Sequence, residues 1–298
     1  MTYTALENKV IASLVSQYGQ AEARSVQRFL FECFTGLEPA QYLLLRQTEA
    51  GKEFELRIQN AISQLAEFMP VQYVTGMTWF CGFKFKVRPG VLIPRPETEE
   101  MVIKIARKFD KTEGLAILDI GTGSGAIAIS LGKLLPGASV LAIDISKDAL
   151  RIAEENSFLN ESSLSLLEFD ILNRNEWNSF GKYNLIISNP PYVKKSERSL
   201  IRRNVLDYEP ETALFVEDSN PLLFYWAIAE FALTHLEPGG ELWFEINETE
   251  GKNISVLLDE LGFTRIQICM DLNAKPRFVS ASQPANNSRF NLLGKFTI

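Results

Sequence analysis

Ala116-Ile117-Leu118-Asp119-Ile120-Gly121-Thr122-Gly123-Ser124-Gly125 is a short apolar strand that runs directly into a glycine-rich turn. Glycine lets the backbone turn sharply and approach a ligand with no Cβ in the way. Ala126 then opens a stretch with helical character. Strand, glycine turn and helix in this order open a nucleotide-binding α/β unit. A second strand ends at Asp144, 23 residues after Gly121. In such folds a carboxylate at that point accepts hydrogen bonds from ribose hydroxyls.

The sequence downstream alternates. Strands are expected at 115–120, 139–144, 164–169, 183–188 and 240–246, and helices near 124–135, 147–160, 221–236 and 248–261. Two further strands are expected at 264–270 and 276–281. The alternation predicts a mostly parallel sheet covered on both faces. Upstream, Phe54, Ile58, Ala61, Ile62, Leu65, Phe68 and Met69 recur at three- and four-residue steps, as do Leu6, Val10, Leu14 and Tyr18. That period marks helix faces. Trp79-Phe80 and Phe83 to Val87 flank Cys81-Gly82 and read as a β-hairpin. Pro96, with acidic residues just after it, suits a helix start. The chain thus divides into a helical domain at 1–75, a hairpin linker at 76–95, an α/β domain at 96–282 and a tail at 283–298, polar from Gln283 to Ser288.

Composition narrows the function classes. The 298 residues are 46% hydrophobic and 22% charged, the balance of a soluble globular protein. The net charge of −7 argues against a protein built to grip nucleic acid. Cys33, Cys81 and Cys269 show no CxxC spacing, so neither disulfides nor a zinc site is expected, and no other metal. Free thiols fit a reducing cytoplasm. The N-terminal residues lack signal-peptide character, and no stretch approaches 18 apolar residues. A monomer is expected. The single histidine, His235, precedes Leu236-Glu237-Pro238-Gly239-Gly240, a helix-ending signal. Histidine-based triads therefore have no support.

The glycine turn leaves two cofactor classes open. Gly123-Ser124-Gly125-Ala126-Ile127-Ala128 also fits the dinucleotide fingerprint of a nicotinamide oxidoreductase. Asp119 tilts the balance, because a carboxylate there can receive the amino group that S-adenosylmethionine carries and NAD lacks in that region. Asp170, closing the third strand, puts another acid near an adenine. The fourth strand ends in Asn189-Pro190-Pro191-Tyr192. Two successive prolines remove two N–H donors and stiffen the loop. The Asn189 side-chain oxygen and the Pro190 carbonyl remain as acceptors, matching the two donors of an NH₂ group. The Tyr192 ring can lie flat on a planar acceptor group. Alignment and fixed dipoles then activate a poorly nucleophilic amide without a histidine base. The candidate catalytic residues are Asn189, Pro190 and Tyr192. The candidate cofactor residues are Asp119, Gly121, Thr122, Gly123, Ser124, Gly125, Asp144 and Asp170. Adenine in DNA presents the same NH₂, so a DNA adenine N6-methyltransferase is the alternative, although a basic target-recognition domain is missing.

These motifs resemble the bacterial protein-glutamine methyltransferases of the HemK/PrmC type. The resemblance spans roughly residues 5–282. It is carried by Val71 to Gly76, Ile93-Pro94-Arg95-Pro96-Glu97-Thr98-Glu99, Leu118 to Gly125, Asn189 to Tyr192, and Tyr208-Glu209-Pro210. It implies a Rossmann-like class I methyltransferase domain preceded by a small helical bundle that docks class 1 peptide chain release factors. It also implies transfer of a methyl group to the glutamine of their Gly-Gly-Gln loop, with Asn189 contacting both cofactor and substrate and Pro190, Pro191 and Tyr192 completing the glutamine pocket. Ile171 stands where the family often has an aromatic residue, and Asn247 where it often has glycine. Lys194, Lys195, Arg198, Arg202 and Arg203 follow the Asn-Pro-Pro-Tyr loop. They suit either an acidic partner or a solvated surface.

Overall fold

A computed structural model of the chain describes residues 1–283. It resolves two compact units, one of Met1–Thr78, Val87–Pro89 and Ile201–Glu209, the other of Trp79–Lys86, Gly90–Leu200 and from Pro210 onward. The span expected as a polar tail lies outside the described residues except for Gln283. That residue is buried, and its amide donates to the Leu233 carbonyl at 2.8 Å.

The first unit is helical: α1 (Tyr3–Thr35), α2 (Pro39–Leu45), α3 (Lys52–Ala66) and α4 (Val71–Thr75). Gly19, at φ 75°, breaks α1 into two helices. Leu6, Val10 and Leu14 before the break and Leu30 and Phe31 after it bury against Ile58, Ala61 and Leu65 of α3. The helical spacing of these apolar positions is what permits one shared core. Ile201–Glu209 also belongs to this unit, although its position in the sequence suggested the α/β domain. The Tyr208 hydroxyl donates to the Glu67 carbonyl at 2.7 Å, and the Arg203 guanidinium lies 4.4 Å over the Phe68 ring.

The chain then forms the hairpin β1 (Met77–Phe80) and β2 (Phe83–Lys86), and the second unit begins within it, at Trp79. Cys81 and Gly82 both have positive φ, 52° and 79°, as a two-residue type I′ turn requires. Then follow α5 (Pro96–Phe109), β3 (Ala116–Ile120), α6 (Ala126–Leu134), β4 (Ser139–Asp144), α7 (Lys147–Leu159), β5 (Leu164–Glu168) and β6 (Tyr183–Ser188). The chain continues through β7 (Val193–Lys194), α8 (Arg203–Leu206), α9 (Glu211–Leu214), β8 (Phe215–Val216) and α10 (Leu223–His235). It closes with β9 (Leu236–Glu245), α11 (Gly251–Glu260), β10 (Thr264–Met270) and β11 (Pro276–Ser282).

Seven strands form one sheet in the order β10-β11-β9-β6-β3-β4-β5. Every pairing from β9 to β5 is parallel, and β11 runs antiparallel to both its neighbours. From β3 the chain builds outward to β4 and β5, then returns to lay β6 on the other side of β3. The order therefore reverses between β3 and β6, where α/β sheets open a ligand crevice at the carboxyl ends of their strands. The Ser188 hydroxyl crosses that boundary to the Ile120 carbonyl at 2.7 Å.

One expected boundary differs. The Leu236–Gly240 stretch does not separate α10 from a strand beginning at 240; β9 starts at Leu236. Leu236 pairs with Tyr183 and Glu241 with Leu185, so the Glu237–Gly240 residues bulge out of the ladder. The turn chemistry is used inside the strand, not before it.

Asn156, wholly buried in α7, ties the hairpin to the glycine turn. It accepts from the Lys86 N–H at 2.6 Å and donates to the carbonyls of Lys86 and Ser124 at 3.0 and 2.9 Å. Asn156→Ala is expected to lower stability by about 2–4 kcal/mol, since buried partners are left unpaired. Urea unfolding of the variant checks this.

Candidate active site

At the carboxyl edge of β3, β4 and β6 the second unit holds a cavity of about 400 Å³. The turn after β3 forms one wall. The Gly121 and Thr122 N–H groups both donate to the Ile143 carbonyl, at 2.9 and 3.0 Å, bending the chain across the end of β4. Gly121, Thr122, Gly123 and Ser124 line the cavity. Gly121 and Gly123 have φ of 76° and 56°, and an added Cβ at either would meet no atom within 4 Å. Open space thus stands against the backbone where a side chain would otherwise lie.

Asp144 ends β4 and faces the same cavity. One carboxylate oxygen accepts from the Gly123 N–H at 2.8 Å, the other from the Ser146 N–H at 2.9 Å. Burial raises its pKa, and these backbone donors oppose the rise. Asp170 also lines the cavity, with one oxygen held by the Leu172 N–H at 2.9 Å. Phe169, Ile171, Phe224 and Ile228 add an apolar lining. Asn189, Pro190 and Pro191, leaving β6, form the opposite wall. The glycine turn and the proline loop, 68 residues apart from Gly121 to Asn189, therefore meet at one opening.

Three residues expected at the ligand are not part of the cavity lining. Asp119 is fully buried outside the cavity lining, because successive strand residues point to opposite faces and Ile120 takes the cavity side. One of its oxygens accepts from the Thr122 hydroxyl at 2.7 Å; the other has no hydrogen-bond partner. With that first oxygen it holds the turn. Gly125 also stands behind the lining: a Cβ there would come within 3.0 Å of Ile129 and 3.1 Å of Ala153. Its role is close packing of α6 on α7. Tyr192 turns back into the core, and its hydroxyl donates to Glu245 Oε1 at 3.2 Å. Its ring lies outside the cavity lining, packed against the core.

Burial lifts the Asp119 carboxyl to about 7, against the opposing bond from Thr122. The folded chain then keeps a proton that the unfolded chain releases near 3.8. That contribution is complete below the unfolded value and is lost as pH rises through the folded one. Wild-type stability should decline relative to Asp119→Asn between about pH 4 and 7, by at most roughly 1.4 kcal/mol per pH unit. Denaturant unfolding of both proteins across that range checks it.

Other cavity residues were quoted in the sequence without being given a site role. Arg95 and Thr98, from the Pro-Arg-Pro-Glu-Thr-Glu run, line the cavity. In the sequence this run marks a helix start and carries part of the family resemblance; its density of chemistry-bearing residues was the signal for a place in the site. The basic run after the loop is paired within the chain: Lys194 with Glu250, Lys195 with Glu217, Arg198 with Glu211, Arg202 with Glu22, and Arg203 with Asp207. It is a network of ion pairs, not an uncompensated patch.

The open space at the glycine turn, the anchored Asp144 carboxylate and the apolar lining beyond it fit S-adenosylmethionine. A family model described as a methyltransferase small domain matches residues 103–207, and one described as the PrmC N-terminal domain matches residues 9–76. The release factor glutamine methyltransferase of Flavobacterium psychrophilum is 41% identical over 275 residues, covering 91% of this chain and 96% of that protein. The protein of the same name from Bacteroides thetaiotaomicron is 42% identical, covering 78% and 82%. Among solved structures, a methyltransferase from Pyrococcus furiosus superposes with a TM-score of 0.52 at 18% identity, covering 78% of this chain and all of that one. That likeness supports the Rossmann-like fold alone. With glycine turn and proline loop on one cavity and relatives matched over nearly their full length, the chain belongs to the release factor glutamine methyltransferase family and has its S-adenosylmethionine-dependent methyltransferase fold.

Proposed function

We propose that the chain methylates the side-chain amide nitrogen of the glutamine in the Gly-Gly-Gln motif of class 1 peptide chain release factors, acting in the cytoplasm. The observation that carries this is the meeting of Asn189-Pro190-Pro191 with the glycine turn on one cavity. When bound, S-adenosylmethionine supplies an electrophilic methyl group on a sulfonium. Gly121, Gly123 and Ser124 would hold its amino-acid end by close backbone approach, and Asp144 would accept its ribose hydroxyls. Asn189 Oδ1 and the Pro190 carbonyl accept the two N–H groups of the glutamine amide. A carboxamide nitrogen is weakly nucleophilic because its lone pair is delocalised. Two acceptors on its hydrogens return electron density to nitrogen and fix its direction, so orientation and preset dipoles do most of the work. Pro190 and Pro191 offer no N–H that would compete for those acceptors. The helical unit serves to dock the protein substrate.

Incubation with methyl-labelled cofactor and a purified release factor tests the assignment. Label is expected in the Gly-Gly-Gln peptide and nowhere else in the factor. An unlabelled peptide would end the assignment, and label on plasmid DNA would move it to adenine.

A further inference from the structure

Four elements of the second unit meet in one hydrogen-bonded chain behind the proline loop. The Asn189 Nδ2 donates to Thr98 Oγ1 at 3.3 Å, and the Thr98 hydroxyl donates to Glu245 Oε2 at 2.5 Å. The Tyr192 hydroxyl donates to the other Glu245 oxygen, and Tyr225 holds the Glu245 carbonyl at 2.9 Å. Thr98 is 5% exposed and Glu245 1%. We infer that Thr98, held by Glu245, is the positioning residue that turns the Asn189 carboxamide oxygen toward the substrate amide. This rests on reading Asn189 as the substrate's acceptor.

The argument is a count of hydrogens. An ionised carboxylate only accepts, while a hydroxyl has one hydrogen to give. Both Glu245 oxygens already receive a hydroxyl; burial raises the pKa of this carboxyl, and the bonds from Thr98 and Tyr192, then the charge of Arg277, oppose the rise and favour the acceptor form. Thr98 spends its hydrogen on Glu245, so toward Asn189 it offers a lone pair. Only the NH₂ end of Asn189 can satisfy that lone pair. The carbonyl end must then point away from Thr98. Without the relay the two ends of the amide are nearly equal in shape, and a flip would set NH₂ against NH₂ at the substrate. Thr98 thereby gives the Pro-Arg-Pro-Glu-Thr-Glu run a role beyond starting a helix.

Thr98→Val keeps the shape of the side chain and removes the hydroxyl. With the full chain, saturating S-adenosylmethionine and a purified release factor, kcat is expected to fall on the order of 10–100-fold. Calorimetric affinity for the cofactor should stay near wild type, while the unfolding midpoint should fall, because Glu245 Oε2 is left buried without its donor. Thr98→Ser should recover kcat to within about threefold of wild type, because it restores the donor and the lone pair. Thr98→Ala carries the same test should the valine variant fail to fold. Wild-type turnover in the valine or alanine variant would overturn the inference, as would a serine variant as slow as the valine one. Failure of the underlying reading looks different: Asn189→Ala would then turn over as fast as wild type.

Discussion

Replacing Asn189 by alanine is expected to slow methyl transfer by about 10²–10³-fold, the usual loss when one preorganised polar group leaves an active site. The effect should fall on kcat more than on KM, since the acceptor counts most when the amide nitrogen develops charge. Stability should change by less than about 1 kcal/mol, because Asn189 is only half-buried and the Thr98–Glu245 bond survives without it. Single-turnover kinetics with a release factor, paired with thermal unfolding, separates the two effects. Asn189→Asp sharpens the test. It keeps an oxygen facing the cavity but removes the Nδ2 donor to Thr98. Turnover should therefore drop although an acceptor is still present.

Two glycines of the same turn should fail in opposite ways. Gly121→Ala inserts a methyl where nothing lies within 4 Å, at φ 76°. The strain is about 1–2 kcal/mol, but the methyl occupies cavity space, so cofactor affinity should fall about 10–100-fold, the scale of 1.4 kcal/mol per decade. Gly125→Ala adds to the strain at φ 80° contacts of 3.0 Å to Ile129 and 3.1–3.3 Å to Ala153, one of them with backbone. Overpacking joins strain, and a stability loss of about 3–5 kcal/mol is expected. Calorimetric titration and urea unfolding of both variants would read this crossing pattern. Equal behaviour would mean that Gly125 also faces the ligand.

The strands and helices of the α/β unit could be read from the sequence because each carries a clear period. The β3, β4 and β6 strands fall within a residue of their expected ends. Leu236–Gly240 misled because a proline followed by two glycines signals a chain reversal, whereas here it bulges within a strand. The site was legible as a set of loops at one sheet edge. Sequence order places a residue near an edge but leaves the direction of its side chain open. Asp119 and Ile120 are neighbours, yet only Ile120 reaches the cavity. Tyr192 adjoins two cavity prolines and points the other way. The Thr98–Glu245 bond joins residues 147 positions apart, and nothing local in either segment announces the other.

A crystal structure of the chain with S-adenosylhomocysteine and a Gly-Gly-Gln peptide tests the central geometry most directly. The glutamine amide nitrogen should sit within hydrogen-bond reach of Asn189 Oδ1 and the Pro190 carbonyl, facing the cofactor sulfur. A glutamine bound away from the proline loop, or a cofactor seated away from the glycine turn, would contradict it.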